Sequence, residues 1–186
     1  MTPTTKLEAV NQLLMSIGES PVNTLEEGLT ESGMATTVID NISREIQSKG
    51  WWFNTELFTL TPDVNGNLLL PANTLKVDTG FEHIVARGSK LYNKVENTFT
   101  FTQAYPAAVV VGLDYNELPE VARHSITTRA ICVFQSQTVG STSLHSMYTT
   151  NASMAYAMLD AAELENGNYS LFDNPELVAM NYRRGR

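Results

Sequence analysis

Between Trp51 and Leu113 the sequence has no helical period and is rich in Thr, Val, Phe and Tyr, whereas the stretches on either side place apolar residues every three or four positions. A chain built this way must make helices at both ends and antiparallel strands between them. The fold class it predicts is therefore α+β.

The flanking helices are bounded by local signals. Thr5 followed three residues later by Glu8 forms a capping box; Leu7, Val10, Leu14 and Ile17 then recur at helical spacing until Gly18 supplies a stop. After the loop around Pro21, Met34, Val38, Ile42 and Ile46 form one apolar stripe with Ala35 and Ile39 beside it, ending at Gly50. A third helix starts at Pro119, with Glu117 and Glu120 at the positive end of its dipole. It turns Val121, Ile126, Ala130, Val133 and Phe134 towards a core and ends before Gly140. The fourth is predicted from Thr142 to Leu164, with Leu144, Met147, Tyr148, Ala155, Met158, Leu159 and Ala162 on its apolar side and Asn166-Gly167 as its stop.

Turn chemistry divides the middle segment. Asn65-Gly66 predicts a tight hairpin between Thr55–Thr61 and Asn67–Leu70, and Gly88-Ser89 a second one between His83–Arg87 and Lys90–Lys94. Thr98-Phe99-Thr100-Phe101-Thr102 alternates as a strand does, which sets both phenylalanines on one face. Ala107 to Gly112 is almost wholly apolar and predicts a buried strand.

Charge and cysteine usage narrow the function classes. Twelve Lys and Arg against 20 Asp and Glu give a net charge of −8, which opposes binding to a phosphate backbone. No Lys or Arg lies between Arg129 and Arg183, and Arg183, Arg184 and Arg186 then crowd the end, so an acidic body carries a basic arm. Cys132 sits within Ala130-Ile131-Cys132-Val133-Phe134 and reads as a small buried hydrophobe in a reducing compartment. With no basic stretch leading into a long apolar run, the expectation is a protein made in the cytosol.

Catalytic readings find little support. Asp114, Glu117 and Glu120 could suggest the carboxylate pair of a glycan hydrolase acting on host surface polysaccharide, but acidic residues belong in a first helical turn, where ionisation is favoured over the protonated acid. Asp63 lies in a turn. His83, His124 and His145 lack a Cys or carboxylate at a recognised metal spacing, and neither Ser125 nor Ser146 sits in a nucleophile elbow. No cofactor motif is present. Trp51-Trp52-Phe53 reads as packing at the handover from helix to sheet.

Several segments together resemble one family. Ala9-Val10-Asn11, Ile17-Gly18-Glu19-Ser20-Pro21-Val22 and Thr24-Leu25 look like the opening of tail tubular protein A, the head-to-tail adaptor of short-tailed bacteriophages. Ile42 to Trp51, Phe53-Asn54 and Pro62-Asp63-Val64 follow in that family's order and spacing, and Arg87-Gly88, Leu91-Tyr92-Asn93 and Asp114 to Glu120 are similar to its later segments.

The resemblance implies a helical bundle with a small antiparallel β domain inserted between the second and third helices, and an extended C-terminal arm. On this sequence the divisions are 1–50, 51–113, 114–166 and 167–186. It further implies a non-enzymatic virion protein that forms a twelve-subunit ring at the head–tail junction. That ring would bind the portal protein above and the tail nozzle, tail tubular protein B, below, with the tail fibre a further contact. Genomic DNA would pass through the lumen without specific binding, and an acidic lining would limit adhesion. The expected contacts are Tyr169, Leu171, Phe172, Leu177, Tyr182, Arg183, Arg184 and Arg186 of the arm with the portal or a neighbouring subunit. Lys90, Asn93 and Lys94 of the β loops are expected to meet nozzle or fibre, and the helical faces 34–46 and 144–159 to build the bundle and the ring.

Overall fold

The computed structural model describes residues 2–25 and 30–173, with side chains described as far as Gly167. Helices α1 (Lys6–Ser16), α2 (Thr30–Gln47), α3 (Glu120–Thr138) and α4 (Thr142–Asp173) flank strands β1 (Thr55–Leu60), β2 (Thr74–Asp78), β3 (Ile84–Arg87), β4 (Lys90–Asn93) and β5 (Tyr105–Val111). One compact unit gathers Met1–Ile46 with Asp114–Glu165; a second is built around Gln47–Leu113.

In the helical unit, α1 is capped as the sequence predicts. Thr5 Oγ1 accepts from the Glu8 amide at 3.2 Å, and the Glu8 carboxylate accepts from the Thr5 amide at 2.7 Å. At the other end Gly18 adopts φ +87°, and the amides of Gly18 and Glu19 return to the carbonyls of Met15 and Leu14, a Schellman stop. The buried face is Ala9, Val10, Leu13 and Leu14.

The other helices bury different stripes from those expected. On α2 the inward residues are Ser32, Ala35, Ile39, Ile42, Ser43 and Ile46, while Met34 is 42% exposed and Val38 half-buried. On α3 it is Ala122, Ile126, Ala130 and Phe134 that are enclosed, with Val121 and Val133 only half-buried. The burial of Cys132 agrees with its apolar surroundings. Among the described side chains of α4, only Ala152, Ala155 and Leu159 are buried. That helix also runs past Asn166-Gly167 to Asp173. A glycine inside a helix costs about 1 kcal/mol relative to alanine, which a long helix absorbs; a stop needs the left-handed cap that Gly18 makes.

In the β unit, β5 is the central strand of an antiparallel sheet ordered β1-β5-β2, so Ala107, Val109, Val110 and Val111 are covered. β3 and β4 form the hairpin predicted at Gly88-Ser89, with Arg87 opposite Lys90. Leu60, Leu68, Ile84, Leu91, Phe101 and Val109 share its core.

Two local expectations are corrected. Gly66 does adopt φ +78° in a turn, and an added Cβ there would lie 2.6 Å from Thr100 Cγ2. The chain after the turn, however, bridges Asn67 to Thr100 and Leu69 to Lys90, while β1 pairs with β5 instead. Thr98–Thr102 is not a strand either: Thr98 and Thr100 make single bridges, Phe101 enters the core and Phe99 stays 39% exposed.

The ends of the β segment are clasped by two side-chain amides. Gln47 Oε1 accepts from the Leu113 amide at 2.8 Å and its Nε2 donates to the Leu113 carbonyl at 3.0 Å. Asn54, fully buried, donates from Nδ2 to the carbonyls of Gln47 (3.0 Å) and Val111 (2.9 Å) and accepts the Trp51 amide at 2.9 Å. Each amide mimics a strand neighbour where the ladder stops, Gln47 with one donated and one accepted bond and Asn54 with two donated and one accepted.

Candidate functional site

The carboxylates weighed above as an acid–base pair have structural partners. Glu117 accepts from the Asp114 amide at 3.2 Å, and Glu120 accepts from both the hydroxyl and the amide of Thr4. The Thr4 hydroxyl, helped by its amide and by Arg123, holds Glu120 below the ordinary carboxylate range. A carboxylate biased towards ionisation is a poor proton donor at neutral pH. Asp63 likewise accepts the amides of Asn65 and Asn67, both at 2.8 Å, and its pKa is lowered chiefly by the Asn67 amide.

Histidine surroundings differ from what linear spacing suggests. His145 Nδ1 lies 2.7 Å from Ser136 Oγ and 3.8 Å from Cys132 Sγ, because one turn of α3 meets the start of α4. His83 packs edge-on to Phe81, and His124 is exposed. Among the described residues, no three His, Cys, Asp or Glu side chains gather to hold a metal.

The prominent surface features of the helical unit are apolar. Along α4, Leu144, Met147, Met154 and Met158 are 37%, 49%, 59% and 59% exposed. Their spacing, with Asn151 and Ala161, alternates three and four, so they share one side of the helix as a coiled-coil seam does. Beside α2, an open groove of about 620 Å³ is lined by Gly33, Met34, Val38, Phe134 and Thr138 among others. Neither the groove lining nor the segment Thr142–Leu159 contains an Asp, Glu, Lys or Arg.

The residues expected to meet nozzle or fibre divide. Asn93 is buried and accepts the amides of Val95 and Glu96, so it shapes a turn. Lys90 is half-buried with its ammonium 3.1 Å from Asn67 Oδ1, while Lys94 is exposed. Of the arm residues, the side chains of Tyr169, Leu171 and Phe172 and the whole of Leu177, Tyr182, Arg183, Arg184 and Arg186 lie outside the described residues.

A helical unit interrupted by a β-rich one, with uncharged apolar helix faces open on an otherwise acidic chain, defines the class as an α+β protein with the surface of a structural component. Residues 7–169 match the sequence profile of the tail tubular protein family, and the chain belongs to that family of structural phage tail proteins. It is similar to "Tail tubular protein A" of Klebsiella phage KP34, 27% identical over 167 residues, which cover 89% of this chain and 90% of that protein.

Proposed function

We propose that the chain is the head-to-tail adaptor of a short-tailed phage, a ring subunit that joins the portal to the tail nozzle and lines the channel for DNA ejection. What supports this reading, beyond the family, is the pairing of an exposed seam on α4 with an uncharged groove beside α2. Copies of a chain carrying −8 repel one another, so close contact favours faces free of carboxylates. Exposed methionines suit such a contact because they repack against varied surfaces. The segment Asn168–Arg186, whose first six residues continue α4, would add apolar anchors and three arginines for the portal or a neighbouring subunit.

The reading is tested by sizing and electron microscopy of the purified protein alone and mixed with its portal. Free protein at low micromolar concentration should be largely monomeric, and rings should appear on the portal. Introducing Met154→Glu with Met158→Glu, both at exposed positions, should abolish rings while leaving the melting temperature nearly unchanged. Stable rings without portal would contradict portal-dependent assembly. Failure to associate with the portal in any state would overturn the adaptor role.

A further inference from the structure

The β3–β4 hairpin sorts its residues by face. Ile84 and Leu91 enter the core, so Val85, Arg87, Lys90 and Tyr92 lie on the opposite side. The Lys94 amide donates to the His83 carbonyl at 2.8 Å, which carries the ladder one step further and puts Lys94 on that outer side too. Three of the chain's 12 cations thus share one face of one hairpin. Arg87 and Lys90 stand directly opposite each other, a like-charge pairing that destabilises a hairpin by itself.

Only one of these cations is answered from within. Lys90 reaches Asn67 Oδ1 and lies in the field of Asp63. The Arg87 guanidinium carbon lies over the Tyr92 ring, 3.7 Å from its centroid; Tyr92 packs on Phe99 at 4.8 Å and donates its hydroxyl to Asn97 Oδ1 at 3.3 Å. No described residue accepts a hydrogen bond from the Arg87 guanidinium or pairs with Lys94. Phe99 and Val95, 39% and 73% exposed, border the cations with apolar surface.

We infer that this outer face is a docking surface for a segment of another protein that presents carboxylates beside an aromatic or aliphatic side chain. An arginine already held on a ring loses little further freedom on gripping a carboxylate through two parallel hydrogen bonds. Arginine is among the residue types on which interface energy concentrates, and Tyr92, 9% exposed, backs Arg87 from within. Nucleic acid fits less well: Glu82 and Glu96 flank the hairpin and the whole chain is acidic, so an extended phosphate array is repelled. A two-fold contact between copies would set cation against cation. The inference stands apart from the adaptor reading, since it concerns the chemistry of the ligand and not the identity of the assembly.

The experiment is selection of a displayed random-peptide library on the full-length protein, followed by fluorescence anisotropy with the enriched peptide and its Asp→Asn, Glu→Gln counterpart. Enriched peptides should carry Asp or Glu next to an aromatic or aliphatic residue, and the amide counterpart should bind at least about tenfold more weakly. Arg87→Ala should cost about tenfold or more, and Arg87→Lys should not restore binding, because an ammonium lacks the planar fork. Lys94→Glu, at an exposed position, carries the same test if Arg87→Ala lowers the melting temperature. Enrichment of peptides without carboxylates, full binding by both variants, displacement of the peptide by short duplex DNA, or self-association through this face would each overturn the inference.

Discussion

Asn54→Ala should melt the β unit several degrees below the unaltered protein while the helical unit keeps its stability. The buried Asn54 amide holds three main-chain groups: the carbonyls of Gln47 and Val111 and the amide of Trp51. Removing it takes a partner from the Val111 carbonyl and the Trp51 amide, while the Gln47 carbonyl still accepts the Gly50 amide; at roughly 1–3 kcal/mol for each of the two groups, about 2–6 kcal/mol is expected. For a chain of this size that corresponds to a fall of roughly 4–24 °C, given about 2–4 °C per kcal/mol. Both tryptophans, Trp51 and Trp52, lie in the β unit, and Trp51 is 1% exposed. Their fluorescence therefore reports that unit alone, while far-ultraviolet circular dichroism is dominated by the helices. The expected result is a fluorescence transition moved down with the helical transition unmoved. Equal displacement of both would show that the amide clasp stabilises the two units as one.

How much of this was legible beforehand depended on the range of the interaction. The α1 cap needs only Thr5 and Glu8, and its stop only Gly18, so local sequence sufficed. The hairpin at Gly88-Ser89 is equally local. In contrast, Asn67–Leu70 had no local mark telling it to bridge Thr100 and Lys90 instead of pairing with β1, because the β1–β5 pairing joins strands far apart in the chain. The α2 stripe was misplaced by a fraction of a turn since Met34 and Ala35 both suit an apolar face. Packing chose the smaller residue, which allows closer approach.

The features that depend on distant partners were the least visible. Gln47 and Asn54 are ordinary polar residues until the returning strand supplies Leu113 and Val111 as partners. The sequence assigned the α4 face to both bundle and ring without dividing the two, because periodicity marks an apolar side without saying what covers it. Among the hairpin cations, Lys90 and Lys94 were singled out for their position. The packing of Phe99 on Tyr92, beneath Arg87, was not foretold by alternation alone.

The complementary disruption is Arg123→Ala, which should lower the helical transition by a comparable amount and spare the tryptophan signal. Arg123 is only 8% exposed, yet among the described residues no carboxylate accepts from it. Its Nε donates to the Leu118 carbonyl and its Nη1 to the Thr4 carbonyl, each at 2.7 Å, and Nη2 donates to the carbonyl of Asn116. The guanidinium thus ties the segment before α1 to the turn that opens α3. Lysine offers one point of donation and cannot span three carbonyls, so Arg123→Lys should recover little; a loss of roughly 2–4 kcal/mol is expected for either change. The same clasp has a pH signature. Thr4 lowers the Glu120 pKa in the folded state, so the Thr4–Glu120 contact contributes fully above the ordinary carboxylate value of about 4.3 and is lost as pH falls through the lowered one. Glu120 is largely open to solvent, which keeps that contribution small beside the loss of Arg123. Glu120→Gln should flatten the acid limb of the helical melting curve and leave stability at pH 7 only slightly reduced. An unchanged acid limb in Glu120→Gln, or a helical transition in Arg123→Ala that stays within 1–2 °C of the unaltered protein, would show that the start of the chain is not held by this clasp.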